Sequence, residues 1–179
     1  MLRFNSDHKF KIMQIADTQE IPAVSPDTLS LINNALDREK PDLVIFTGDQ
    51  IKGYSKKFKK DPAIIESTID ILVEPIAKRN IPFMVTYGNH DAQCGVDNRG
   101  QYKFYAKYDN FISGDLRNAD DVGTADIQIY SSTEDKPVFE LYIIDSHGKA
   151  KDGAGYAPVD KKQIEWYVSR REQLKAENG

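Results

Sequence analysis

The sequence predicts an α/β fold, and three observations lead there. Short apolar runs alternate with stretches of helical periodicity, the intervening segments are long enough to be crossovers, and the runs end in polar turns. The first run is FKIMQIA (Phe10–Ala16), flanked by polar residues and suited to a buried strand. A helix follows over SPDTLSLINNALDREK, with Ser25 as N-cap, Pro26 at the first helical position, and Leu29, Ile32 and Leu36 on one face. Pro41 ends that helix, and DLVIFTGD (Asp42–Asp49) reads as the second buried strand.

The next helix starts at Asp61-Pro62. Ile65, Ile69, Leu72 and Ile76 keep its stripe, and Pro75 is expected to kink or split it. IPFMVTYG (Ile81–Gly88) is the third strand. Strand–helix–strand–helix–strand order implies right-handed parallel crossovers and a helix-covered sheet. Further on, ADIQIYSS and PVFELYIID form an antiparallel hairpin joined by TEDK. Asp160 and Gln163 make a capping-box pattern ahead of IEWYVSRREQL. That last helix is expected to bury Ile164, Tyr167, Val168 and Leu174 on one side. No repeat, low-complexity stretch or linker interrupts the chain.

Composition excludes several classes. With 40% hydrophobic and 29% charged residues, wholesale disorder is not expected. A net charge of −4 argues against broad nucleic-acid binding. The single cysteine, Cys94, rules out an internal disulfide and any multi-cysteine zinc site. No apolar run approaches the roughly 20 residues of a membrane span, and MLRFNSDHKFKIM lacks a signal-peptide core. A soluble cytoplasmic protein is the expectation.

The chemistry lies at the strand ends, where open parallel sheets bind ligands. The first strand ends in ADTQ with Asp17 and Gln19, the second in TGDQ with Gly48 and Asp49, and the third in YGNHD with Asn89, His90 and Asp91. Each alone reads equally well as a turn or an ordinary loop residue. Together they place two carboxylates, two amides and an imidazole at one rim, donors suited to Mn²⁺, Fe²⁺ or Zn²⁺.

These motifs resemble the calcineurin-like metallophosphoesterases, whose order is Asp-x-His, Gly-Asp, then Gly-Asn-His-Asp/Glu. KPDLVIFTGDQI and GAGYAPVDKKQIEWY are similar to the branch related to purple acid phosphatases and bacterial cyclic-nucleotide-phosphodiesterase-like proteins. The resemblance implies a metallophosphoesterase-type β-sandwich flanked by helices, with two divalent metal ions (Mn, Fe or Zn) acting on a phosphate mono- or diester. Asp17 and Gln19 would bind the first metal, Asp49 would bridge both, and Asn89 would bind the second and face the phosphate. His90 would contact the phosphate or protonate the leaving oxygen, and Asp91 would orient and charge-stabilise that imidazole.

Two departures stand out. Gln19 occupies the place of a metal-binding histidine, and an amide oxygen is the weaker ligand. The family's later histidine motifs are absent, since only His147, in IIDSHGKA, follows His90. His147 is not expected among the ligands, and His8 is expected to be exposed. Residues 1–179 are therefore read as a phosphoesterase domain truncated at its C-terminus, with an edge strand open to pairing with another copy. The competing reading is a non-catalytic scaffold with an incomplete metal site. A metal-free phosphate-binding domain is disfavoured because no glycine-rich phosphate loop is present.

Other stretches are less informative. KGYSKKFKKD is read as a solvated loop leading into a helix, ahead of a role in drawing anionic substrate to the rim. Phe104, Tyr108 and Phe111 read as core or lid packing. DSHG cannot form a hydrolase triad from adjacent residues, and no nucleophile elbow occurs.

Overall fold

The computed structural model describes residues 1–113, 121–150, 153 and 155–178. Two three-stranded sheets pack face to face. The first contains β2 (Ile12–Ile15), β3 (Leu43–Thr47) and β4 (Phe83–Thr86), all parallel and in that order. The second contains β1 (Leu2–Arg3), parallel to β5 (Ala125–Tyr130), which pairs antiparallel with β6 (Pro137–Ile143) at the sheet edge. Helices α1 (Pro26–Glu39), α2 (Pro62–Ala77) and α3 (Asn98–Ala106) supply the first sheet's helical cover. Helix α4 (Lys161–Asn178) lies against the second sheet. This is the sandwich flanked by helices that the motifs implied.

Strand periodicity explains the layering. In β3 and β4, Val44, Phe46, Phe83 and Val85 face the helices, packing with Leu36, Ile65, Ile69, Leu72 and Ile76. The alternate residues Leu43, Ile45 and Met84 face the second sheet, meeting Ala125, Ile127 and Ile143. Both faces of β3 and β4 are thus dry, which is why their sequences are continuous apolar runs. Strand β2 buries one face only. Ile12 and Gln14 remain exposed on the other, and Gln14 Nε2 donates to Thr47 Oγ1 at 2.9 Å.

The helix starts follow their capping signals. Ser25 Oγ accepts from the Asp27 amide and Asp61 Oδ1 from the Ala63 amide, each ahead of a first-turn proline. Asp160 and Gln163 close the capping box in both directions at 2.9 Å.

Two expectations are corrected. Helix α2 is not split at Pro75; it runs through to Ala77, so the proline forgoes its own amide bond and the helix ends two residues later. Helix α4 buries Gln163, Arg170 and Leu174, while Ile164, Tyr167 and Val168 stay exposed. The outer face of the second sheet presents the Asp126 carboxylate, which the Arg170 guanidinium pairs at 2.9 Å, both side chains being almost fully buried. Satisfying a buried carboxylate outweighs covering two aliphatic side chains, and it sets the rotation of the helix.

Candidate metal centre

The three parallel strands of the first sheet deliver their carboxyl ends to one rim. Beyond β2 and β3 the pairing continues without regular strand geometry. The Asp17 amide donates to the Gly48 carbonyl (3.1 Å), Gln19 to Asp49 (2.9 Å) and Glu20 to Gln50 (3.1 Å). Along this stretch Asp17 (φ 53°), Gln19 (φ 43°) and Asp49 (φ 54°) all adopt left-handed backbone. That conformation is costly for residues other than glycine and persists where surrounding bonds enforce it, typically at functional sites.

The second and third loops are locked together. A Cβ on Gly48 would lie 2.6 Å from the Gly88 nitrogen, and one on Gly88 would lie 2.0 Å from Asp49 Oδ1, so only glycines permit the approach. Asp91, 1% exposed, holds the junction. Its Oδ2 accepts the amides of Asp49 and Gly88, both at 2.8 Å, and its Oδ1 accepts that of Ile51 at 3.2 Å. Burial pushes its carboxyl up to about 6, against the pull of those three amides and with the neighbouring Asp49 charge adding to the rise. Gln50 adds a fourth tie, donating from Nε2 to the Thr86 carbonyl at 2.9 Å.

Asp91 is therefore placed differently from the expectation. Among the described residues no hydrogen bond joins it to the His90 imidazole. The imidazole instead meets Gln93 Oε1 through Nδ1 at 3.2 Å and lies with Nε2 4.0 Å from Asp49 Oδ2. Asp49 Oδ1 accepts the His90 amide at 2.9 Å, fixing the carboxylate between the two loops. The physical reason is proximity: three buried amides at the loop junction need an acceptor, and Asp91 is the side chain that reaches them.

Donor chemistry decides whether these residues fit a divalent cation. The side chains of Asp17, Gln19 and Asn89 have no protein hydrogen-bond partner among the described residues, and Asp49 keeps Oδ2 outside its bond to the His90 amide. Side-chain oxygens without protein partners, carried on the same rim as the fixed Asp49 carboxylate, are of the kind that suit a hard or borderline cation. The residues fit.

A second donor group was not foreseen beyond His147. Ligand atoms of Asp121, Asp145 and His147 lie within 4.8 Å of one another. Gly148, next in the chain, approaches the rim, since a Cβ there would be 3.9 Å from the Asn89 Cα. Much of this group is already engaged. Asp145 accepts the His147 amide (2.7 Å) and Asn98 Nδ2 (3.0 Å), while Asp121 Oδ2 accepts from Thr124 (2.5 Å) and Gln163 (2.6 Å). His147 Nε2 also sits 3.5 Å from Asp160. The sequence signal was the Asp-x-His spacing of DSH; nothing flagged Asp121.

The architecture is a sandwich of two sheets in which three parallel strand ends bring Asp17, Gln19, Asp49, Asn89 and His90 to one rim. The model of the calcineurin-like phosphoesterase family matches residues 10–177, and the chain belongs to that family. It is 28% identical to "Probable inactive purple acid phosphatase 14" of Arabidopsis thaliana, over 99% of this chain and 50% of that protein. It is 33% identical to "Phosphatase DCR2" of Saccharomyces cerevisiae, over 92% of this chain and 32% of that protein. A further match, 26% identical over 98% of the chain and 51% of the relative, is "Probable inactive purple acid phosphatase 29" of Arabidopsis thaliana. The chain thus spans between about a third and about a half of the length of these relatives. Among the described residues, no helix is long and apolar enough to cross a membrane.

Proposed function

We propose that the rim of Asp17, Asp49, Asn89 and His90 binds divalent metal and hydrolyses phosphate mono- or diesters. The observation that supports the reading is that three parallel strand ends carry Asp17, Asp49 and Asn89 to one rim, with the Asp49 backbone clamped by the buried Asp91. Asp17 and Gln19 would hold one cation and Asn89 the other, with Asp49 shared between them; Mn²⁺, Fe or Zn²⁺ would all suit this set. When bound, the cations neutralise the ester and activate water for in-line attack.

The chain's own residues do the rest. Asn89, being neutral, adds a ligand without repelling the phosphate. His90, with its Nδ1 held by Gln93, keeps Nε2 on the side of Asp49, where a proton can pass to the departing alkoxide. Asp91 acts through backbone amides as a positioning residue.

Hydrolysis of p-nitrophenyl phosphate and its bis-ester, with Mn²⁺ or with chelator, tests the proposal on this chain and on the chain continued to its relatives' length. Asp49→Asn and His90→Ala should each lower the metal-dependent rate about a hundredfold or more. Absence of turnover in both lengths with every divalent metal would overturn it. A second reading, a phosphoester-binding scaffold without turnover, is favoured by Gln19 in place of a histidine and by the word "inactive" in two relatives' names. Saturable Mn²⁺ binding with no hydrolysis is its signature.

A further inference from the structure

We propose that the lysine-rich loop beside His90 is a second anion subsite, so that the substrate is a small molecule with two phosphoryl groups. The inference rests on the phosphoester reading for the first of those groups. The loop from Lys52 to Lys60 is built onto the His90 turn rather than projecting from it. Gly53 is buried so close to that turn that a Cβ there would stand 2.0 Å from the His90 carbonyl oxygen. Tyr54 then meets the His90 ring edge-on, with centroids 4.8 Å apart, and Lys52 Nζ lies 5.4 Å from the centre of the Tyr54 ring. Beyond Tyr54 opens a cleft of about 260 Å³, lined among others by Lys56, Lys59, Lys60 and Gln93. Gln93 is the residue that holds the imidazole, so the cleft and the rim share a wall.

Charge makes the cleft an anion site. Elsewhere Lys9, Lys11, Lys78, Lys107 and Lys161 pair with a carboxylate, while among the described residues Lys40, Lys103, Lys136, Lys149, Lys162 and Lys175 have none within 4.0 Å, so density rather than lack of pairing sets the loop apart. Among the described residues none of Lys52, Lys56, Lys57, Lys59 or Lys60 has a carboxylate oxygen within 4.0 Å. Five uncompensated ammonium groups in nine residues, on a chain of net charge −4, concentrate positive potential beside the histidine. The backbone that carries two of them is constrained. Lys59 and Lys60 are consecutive left-handed residues (φ 53° and 55°), and the Lys60 stem packs against Gly95. Lysine ammonium groups bind phosphoryl oxygens as point charges, and a cleft of this size takes one phosphoryl group and its linker, not a folded partner. Lys56, Lys57, Lys59 and Lys60 are exposed, as the solvated-loop reading expected, while Gly53 and Phe58 between them anchor the loop in the interior.

Calorimetric titration in low salt with Mn²⁺ tests the subsite without turnover, using the non-hydrolysable propane-1,3-bisphosphonate and propylphosphonate as the bisphosphate and monophosphate probes. The expected result is at least about tenfold tighter binding of the bisphosphate. The triple variant Lys56→Ser, Lys59→Ser, Lys60→Ser should erase that preference. A remote triple of equal charge change, Lys9→Ser, Lys78→Ser, Lys161→Ser, should retain it. Equal affinities in the native chain, a preference surviving in the loop variant, or equal loss in the remote variant would each overturn the proposal. Because carbon–phosphorus bonds are not hydrolysed at a phosphoester site, an inactive protein with the preference intact would sink hydrolysis alone, and an active one lacking the preference would sink the subsite alone.

Discussion

Asp91 Oδ2 receives the backbone amides of Asp49 and Gly88 at the same 2.8 Å distance, so one buried carboxylate joins the ends of two adjacent strands. The residue that looked like a partner of the histidine is the fastener beneath it.

Replacing that fastener has a calculable effect. Asp91→Asn turns an NH₂ group toward amides that need an acceptor, and charged-acceptor bonds of this kind contribute about 1.5–3 kcal/mol. A stability loss in that range is expected from urea denaturation without metal. An Asp91→Asn chain as stable as the native one would show that the three amides are satisfied otherwise.

Gly53→Ala should be more damaging than its size suggests. The added methyl falls 2.0 Å from the His90 carbonyl oxygen, and overpacking of this sort costs roughly 1–3 kcal/mol. The His90 imidazole resonances should shift, because the loop carrying Tyr54 must move. Gly148→Ala is the control: its nearest neighbour would be 3.9 Å away, and the denaturation midpoint should stay put.

The second sheet carries a pH-dependent term. Burial, then the hydrogen bond and charge of Asp126, raise the Glu140 carboxyl from 4.5 to about 8, with Arg170 opposing. Between those values the folded chain keeps a proton that the unfolded chain releases. The sign follows: this contribution is fully present below about 4.5 and is lost as pH rises through about 8. Urea midpoints measured from pH 5 to 9 should fall on the alkaline side, and Glu140→Gln should flatten the slope. A Glu140→Gln profile parallel to the native one would refute the assignment.

How much of this was legible depended on how local the cause was. Strands β3 and β4 were readable because burial on both faces leaves an unbroken apolar run. The Asp160–Gln163 box was readable because its two bonds close within four residues. The rotation of α4 was not, since it depends on Asp126, 44 residues away from Arg170. The same applies to Asp91, whose acceptor role is set by amides at Asp49 and Ile51 on another loop. That Asp17, Asp49 and Asn89 lie at one rim was legible only through parallel topology, which puts all three strand ends on one side.

The position of β2 has a mechanical consequence. Asp49 and Asn89 stand on loops bolted to each other by Asp91, whereas Asp17 follows a strand with one hydrogen-bonded neighbour and one uncovered face. The rim thus has a fixed jaw and a compliant one. Local opening is cheapest where backbone pairing is least and solvent closest, so amide exchange should be faster at Asp17 than at Asp49. A cation seated between the jaws would tighten the compliant side most, making the grip on metal a measure of how well β2 is held.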